Sequence, residues 1–84
     1  MKLELHPSGP CWVKLTVDGE DAFAKLMQAG QKETVTVQTV AVLSIGDAGA
    51  FEFSVDGRPG RKLGSSGEVR TARITRETLP EYLR

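Results

Sequence analysis

Two alternating runs that end in the same tripeptide constrain the fold of this 84-residue chain more than any other feature. The first run covers residues 12–17 and closes with Val-Asp-Gly at 17–19; the second covers residues 51–55 and closes with Val-Asp-Gly at 55–57. Alternation of apolar and polar residues is typical of a half-buried β-strand, and Asp-Gly is a strong signal for a tight turn between two strands. Both segments therefore predict β-hairpins.

The rest of the chain follows the same rhythm, with glycine, proline, aspartate and serine between the alternating runs. Turn signals recur about every 8–12 residues, which is typical of a β-sandwich or barrel. We predict an all-β domain of about seven short, mostly antiparallel strands that form a small β-sandwich or an open barrel. The strands are expected over residues 2–6, 11–18, 22–28, 34–38, 40–45, 50–55 and 68–75.

Three segments depart from simple alternation. Residues 40–45 are apolar on both faces apart from one serine, which favours a central strand covered on both sides. Residues 64–67 are interpreted as a simple hairpin turn. The C-terminal residues 75–84 are the only helical candidate, and Thr75 or Thr78 would cap a single turn there. The apolar residues of this short tail are expected to fold back on the sheet: Leu79, Tyr82 and Leu83.

Size and composition indicate one ordinary globular domain. A chain of this length buries roughly 60–65% of its unfolded surface, which is enough for one core and not for two. Apolar residues make up 39% of the chain and charged residues 26%. Eleven basic and eleven acidic residues cancel, whereas a dedicated nucleic-acid-binding domain usually has a basic excess. We therefore expect residues 1–84 to form a single β-rich domain that has no nucleic-acid partner.

The sequence shows no signal peptide and no run of about 20 apolar residues that would cross a membrane. The protein is therefore either cytosolic or a fragment of a longer chain. Strand-like residues follow Met1 directly, whereas a natural start usually leaves a few loose residues first. The start of the sequence therefore favours the second alternative, a fragment of a longer chain.

No group of residues in the sequence is suited to catalysis or metal binding. His6 is the only histidine and Cys11 the only cysteine, whereas metal sites need several converging ligands. Cys11 lies in an apolar run, where cysteine behaves as a small buried hydrophobic residue. No nucleophile elbow or phosphate loop is recognisable, and single aspartates beside glycines are typical turn residues. We predict no catalytic, cofactor-binding or metal-binding residue, and a protein that is not an enzyme.

Four residues are candidates for partner binding. Trp12 lies on the face of its strand opposite the apolar one. It is a core residue if both faces of that strand are covered, and an exposed anchor for a partner if they are not. Arg58, Arg61 and Lys62 flank one turn and would form the polar rim of such a site. The alternative for these three residues is a solvated hairpin tip.

Five short segments, taken in order and spacing, form a recognisable pattern. They consist mostly of a tryptophan and hairpin glycines, and they cover residues 8–13, 17–19, 26–31, 43–49 and 55–59. Together they resemble the extracytoplasmic C-terminal domain of the RodZ family of bacterial cell-shape proteins, over roughly residues 3–76. One departure is Asp56, where the family often has asparagine before the glycine; both residues suit the same turn.

In that family a cytoplasmic helix-turn-helix domain binds an actin-like filament, and one membrane helix and a linker lead to a β-rich domain. The resemblance implies that this chain is the exported end of a single-pass membrane protein, in the periplasm or otherwise outside the cytoplasm. It implies a non-catalytic domain that contacts other cell-envelope proteins or the wall-building machinery. The domain would meet the membrane only through the missing part of the parent protein.

Other functions stay open beside this one. A small glycan- or ligand-binding β-sandwich would use Trp12 and the basic residues around 58–62. A structural spacer of adhesin-like type would need no binding site at all. An enzyme fragment would require a cleft lined by polar groups with shifted pKa values, and we expect none.

Overall fold

A two-layer β-sandwich is the fold of the computed structural model, which describes residues 1–84. The strands form two four-stranded antiparallel sheets: sheet A in the order β4-β1-β6-β7 and sheet B in the order β3-β2-β5-β8. The predicted all-β class and sandwich are confirmed, and neither sheet closes into a barrel. The elements along the chain are β1 (Lys2–Leu5), β2 (Cys11–Val17), β3 (Glu20–Met27), β4 (Glu33–Thr36), β5 (Val40–Ile45), β6 (Phe53–Val55), β7 (Arg58–Pro59), β8 (Arg70–Thr75) and α1 (Leu79–Tyr82).

The strand count exceeds the prediction by one, because the two-residue strand β7 completes the second hairpin. The predicted strand over residues 50–55 is regular only in its second half, which is β6. Its first half still pairs with the chain beyond β1. The His6 N–H donates to the Glu52 carbonyl at 2.9 Å, and the Ser8 N–H donates to the Ala50 carbonyl at 2.8 Å.

Both Asp-Gly segments form two-residue hairpin turns, as predicted. Residues 18–19 have φ angles of 51° and 84°, and residues 56–57 have φ angles of 52° and 79°. Positive φ at both central residues is the type I′ geometry, whose twist matches that of the flanking strands. The first turn joins β2 to β3, and the second joins β6 to β7.

Each hairpin aspartate is also bonded to a third strand, in the same way in both sheets. The Asp18 N–H donates to the Val40 carbonyl at 2.8 Å, and the Val40 N–H donates back to Asp18 Oδ1 at 3.0 Å. The Asp56 N–H donates to the Lys2 carbonyl at 2.8 Å, and the Lys2 N–H donates back to Asp56 Oδ1 at 2.7 Å. The recurring tripeptide therefore marks a repeated unit, a hairpin plus the strand that its aspartate holds.

Asp18 accepts further backbone bonds that Asp56 does not. The Gln38 N–H donates to Asp18 Oδ2 at 3.0 Å, and the Thr39 N–H donates to Asp18 Oδ1 at 2.6 Å. The N–H groups of Gln38, Thr39 and Val40, in that order of effect, stabilise the carboxylate and hold the Asp18 pKa below its ordinary value. The turn between β2 and β3 thus holds the loop that leads into β5.

The core is one apolar cluster between the two sheets, and no polar or charged side chain is buried in it. Phe51 and Phe53 stack with their ring centroids 5.6 Å apart. Gly60 passes so close to the Phe53 ring that a Cβ atom there would lie 2.3 Å from Phe53 Cζ. Removal of this apolar surface from water is the dominant favourable term in folding. The cluster consists of Leu3, Leu5, Cys11, Val13, Leu15, Met27, Val37, Ala41, Leu43, Ile45, Phe51, Phe53, Val55, Ala72 and Ile74.

Strand β5 is central in sheet B, but it is covered on one face only, and the prediction of burial on both faces was wrong. Ala41, Leu43 and Ile45 are buried, whereas Val42 and Ser44 on the other face are half-buried. The chain builds two layers, so no third layer covers the outer face of sheet B. The neighbours of Val42 across the sheet, Thr16 on β2 and Arg73 on β8, cover its side chain in part. This partial cover explains why an apolar residue is tolerated on the outer face.

Residues 64–67 do not form a hairpin turn, contrary to the prediction. They belong to the connection from β7 in sheet A to β8 in sheet B, and this connection folds onto the turn after β5. The Ala48 N–H donates to the Glu68 carbonyl at 2.8 Å. A Cβ atom on Gly49 would lie 2.4 Å from the backbone nitrogen of Ser66, so the close approach of the two loops requires glycine there.

The C-terminal tail folds back on the sandwich, as expected. Helix α1 is a single turn, and the prediction that a threonine side chain caps it was wrong. The Thr78 hydroxyl bonds back to the end of β8 and not to the helix. Leu83 pairs with Gly60 in an isolated β-bridge. The apolar residues of the tail pack against the core: Leu79, Tyr82 and Leu83.

The substitution Gly60→Ala should lower the free energy of unfolding by about 2 kcal/mol, a usual cost of overpacking a filled core. The new methyl group would overlap the Phe53 ring, so the ring must move. Gly9→Ala is the matched control, because a Cβ atom there would meet only Ala50 Cβ at 3.7 Å, an ordinary contact. Urea unfolding measures both variants. A Gly60→Ala chain as stable as the control would contradict the described packing.

The substitution Asp18→Asn should remove part of the acid sensitivity of the fold. The Asp18 pKa is lowered in the folded state, so the unfolded state binds more protons at this group. The resulting stabilisation is fully present above the unfolded Asp pKa of about 3.9, and it is lost as the pH falls through the folded-state pKa. Asparagine keeps the turn preference but does not titrate.

Free energies of unfolding between about pH 2 and pH 7 should therefore fall less steeply on the acid side for Asp18→Asn than for the unsubstituted chain. Asp21→Asn is the control, because Asp21 accepts the Thr16 hydroxyl and no backbone N–H. Equal acid slopes for the unsubstituted chain and Asp18→Asn would show that the three N–H groups do not hold the carboxylate in solution.

Candidate interaction surface

Trp12 lies on the outer face of sheet B, so it is exposed and is not a core residue. Half of its surface, 50%, is accessible to solvent. Only two other large apolar residues of the chain are exposed, Leu26 at 51% and Val69 at 69%. Single exposed apolar residues need no explanation in a soluble domain, whereas a contiguous apolar patch often marks an interaction site.

The strand register brings these three residues together. Trp12 of β2 lies directly opposite Leu26 of β3. On its other side the Gly46 N–H donates to the Trp12 carbonyl at 2.8 Å, and the register of β5 with β8, continued by one residue, places Val69 beside Gly46. Leu26 and Trp12 lie in β3 and β2, and Gly46 and Val69 lie one residue beyond the ends of β5 and β8. We name these four residues the apolar row. With neighbouring strands about 4.8 Å apart, the row is about 14 Å long.

Gly46 forms a shallow depression in the apolar row, because it carries no side chain. A Cβ atom at Gly46 would lie 3.1 Å from Trp12 Cβ, closer than nearly all such contacts. A side chain at this position would therefore crowd the base of Trp12. Glycine leaves the space between Trp12 and Val69 open to an incoming group.

The rest of this face is mixed in character and carries two free cations. The row next to the apolar one contains Ala24, Lys14, Ser44 and Thr71, and the following row contains Asp21, Thr16, Val42 and Arg73. Lys14 and Arg73 are exposed, and neither forms an ion pair. Asp21 accepts a bond from the Thr16 hydroxyl at 3.4 Å.

The outer face of sheet A has no comparable apolar patch. Its central strand β1 exposes Glu4, which lies 3.7 Å from Lys32 Nζ and 3.9 Å from His6 Nδ1. The neighbours of Glu4 across the sheet are Thr34 on one side and Ser54 on the other. The two outer faces of the sandwich therefore differ, and only that of sheet B presents large apolar side chains.

The basic residues named with Trp12 lie elsewhere. Arg58 is in β7, at the edge of sheet A. Arg61 Nη1 donates to the Glu81 carbonyl at 3.0 Å, and Lys62 Nζ donates to the Gly49 carbonyl at 2.6 Å. No hydrogen bond or ion pair joins any of the three to Trp12, and Arg58 and Trp12 belong to different sheets.

Leu26, Val69, Lys14 and Arg73 were missed as site residues. The alternation of each strand indicates which face a residue occupies, but not which residues on other strands lie beside it. That information comes from the register of β2 with β3 and of β5 with β8, which joins parts of the chain far apart in sequence.

No three side chains of His, Cys, Asp or Glu converge on one point. Cys11 is buried, and this burial raises the pKa of its thiol. One open depression of about 250 Å³ is lined by Gln38, Thr39, Arg76 and Glu77. The Glu77 backbone N–H and the Thr75 hydroxyl hold the pKa of Glu77 below its ordinary value.

Fold and surface together define the class of this protein: a small β-sandwich domain with one polar outer face and one outer face that carries an apolar row. The chain belongs to the RodZ C-terminal domain family, whose model matches residues 4–75. It is thus a domain of a RodZ-like cell-shape protein, and the family is a structural, non-catalytic one. Comparisons with curated proteins and with solved structures give no match. No helix here has the length and apolar character needed to span a bilayer.

The substitution Trp12→Ala should lower the free energy of unfolding by about 1 kcal/mol or less, because half of the side chain is already in water. Leu15→Ala, three residues along the same strand, should cost about 2–5 kcal/mol, because Leu15 is fully buried. Urea unfolding measures both. Iodide should also quench Trp12 fluorescence in the folded chain. A protected tryptophan, or a cost for Trp12→Ala equal to that of Leu15→Ala, would place Trp12 in a covered environment.

Proposed function

We propose that this chain is the extracytoplasmic, non-catalytic interaction module of a RodZ-like cell-shape protein, and that it binds other cell-envelope proteins through the outer face of sheet B. The observation that carries the proposal is the alignment of all three exposed large apolar residues in one row. A row of this kind costs solvation free energy in the isolated domain. Contact with a partner would recover it.

The size of the row suits a transient contact. Three half-exposed large side chains offer on the order of 300 Å² of apolar surface, within the range of functional patches on monomeric proteins. At about 25 cal/mol per Å² their burial contributes several kcal/mol, against an association cost of about 4–15 kcal/mol. The polar surroundings of the row must therefore take part in binding.

The surroundings of Trp12 favour a protein partner over a glycan. Ligand pockets are usually concave and place a few polar groups around the ligand. Trp12 lies instead on an open sheet face, between Leu26 and the bare Gly46. Tryptophan and arginine on such faces are the residue types that dominate protein–protein hot spots. A spacer function would give no reason for the row to exist.

The proposed location outside the cytoplasm is what the family resemblance implies for a β-rich domain of this kind, and membership of the family supports the proposal. Fusions of alkaline phosphatase and of a green fluorescent protein to the C-terminus of the full-length protein test it. The phosphatase fusion should be active and the fluorescent fusion dark. The reverse pattern would refute the proposed location.

The interaction role is tested in the same full-length protein by the double substitution Trp12→Ala/Leu26→Ala. Cell width and length should change as they do on deletion of residues 1–84, while the protein level stays unchanged. Thr34→Ala/Ser54→Ala on the outer face of sheet A is the matched control and should leave cell shape normal. Normal cell shape with the first variant would refute an interaction role for this face.

A further inference from the structure

We propose that the apolar row and the two cations beside it bind an acidic, amphipathic segment of a different protein. Its apolar side chains would lie on Leu26, Trp12 and Val69, and its carboxylates would lie over Lys14 and Arg73. The proposal rests on the proposed interaction function and adds to it the chemistry of the partner.

The charges on this face argue for an acidic partner. Two other cations on the strands are already in ion pairs: Lys25 with Glu33 and Arg70 with Glu68. Lys14 and Arg73 are not. The one carboxylate on the same face, that of Asp21, lies on the edge strand β3 and bonds to a hydroxyl on β2. The face therefore keeps two cations that form no ion pair, although Glu77 lies near Arg73. Such cations steer an anionic partner and fix its orientation.

The positions of the two cations define the spacing that the partner must match. Lys14 lies two residues from Trp12 along β2, which is roughly 7 Å at the usual rise of a strand. Arg73 lies four residues from Val69 along β8, roughly 14 Å away. Both cations lie on the same side of the apolar row. The partner thus carries its carboxylates along one side of an apolar stripe.

The shallow depression at Gly46 can accommodate one apolar side chain of the partner. Trp12 lies in β2 and Val69 directly precedes β8, and these two strands flank β5. The usual strand spacing puts the Cα atoms of Trp12 and Val69 roughly 10 Å apart. Between them the backbone of Gly46 carries no side chain. An apolar side chain of the partner would contact Trp12, Gly46 and Val69 together. Contacts with a tryptophan are often among the few that dominate binding energy.

A second copy of this chain fits the surface less well. A permanent homodimer usually buries 2,000 Å² or more in total, and its interface is markedly apolar. The apolar row offers only on the order of 300 Å² on each side. The face also presents cations and almost no free carboxylate, so two copies would not neutralise each other.

Site-specific photocross-linking in the full-length protein, expressed at its native level in cells, tests the proposal. The probe is p-benzoylphenylalanine, placed at Ala24 or Ser44 beside the apolar row, or at Thr34 or Ser54 on sheet A as matched controls. Mass spectrometry identifies the cross-linked peptide. Ala24 and Ser44 should link to one polypeptide other than this chain, at an apolar residue with Asp or Glu close by. The control positions should not.

Charge reversal supplies the second readout. Lys14→Glu/Arg73→Glu should reduce the cross-link yield by about tenfold, since like charges now oppose each other. Lys2→Glu/Lys32→Glu makes the same change in net charge away from this face and should alter the yield by less than about twofold. Replacement of the identified carboxylates by lysine in the partner should restore the cross-link to the reversed variant.

Several results would overturn the proposal. These are cross-links to a second copy of this chain, to wall glycan, or to a basic or uncharged peptide, equal yields on both sheets, no cross-link at all, or a yield that charge reversal does not change. The circular dichroism spectrum of each variant shows that it is folded. A cytoplasmic location of the domain would refute the proposed extracytoplasmic function but not the proposed acidic partner. The cross-links would still identify what binds the outer face of sheet B.

Discussion

The alternation of side chains along β2 is the constraint on which the rest of the structure depends. A strand directs successive residues to opposite faces, so burial of Val13 and Leu15 in the core forces Trp12 and Lys14 into solvent. The same holds for every strand of a two-layer sandwich, because each sheet has one inner face and one outer face. A single core with no buried polar side chain then fixes both sheets against each other. The exposed tryptophan is thus a direct consequence of how the core is built.

The hairpin aspartates organise the order of strands around that core. Each of them closes a type I′ turn and at the same time bonds to a third strand, Asp18 to β5 and Asp56 to β1. Local turn chemistry therefore specifies a long-range pairing as well. In Asp18 the carboxylate accepts three backbone N–H groups, which links the end of the first hairpin to the loop before β5. This arrangement aligns β5 with β2, and it thereby places Gly46 beside Trp12.

The proposed interaction function rests on a difference between the two outer faces of the sandwich. The outer face of sheet A carries short polar residues and the charges around Glu4. The outer face of sheet B carries the apolar row and two cations that form no ion pair. Membership of the RodZ C-terminal domain family places this asymmetry in a cell-shape protein. The outer face of sheet B is the one that exposes large apolar side chains to water.

The amino-acid sequence by itself determined the all-β class, the two hairpins and which face of each strand is apolar, because these depend on side-chain period and on turn residues within a few positions. It also indicated Trp12 as the residue whose exposure matters, and it led to the wrong expectation that both faces of β5 are covered. Only the tertiary structure decided that Leu26, Trp12 and Val69 lie side by side, and that Arg58 lies in the other sheet. Register and sheet order join residues distant along the chain, so neither periodicity nor spacing can reveal them.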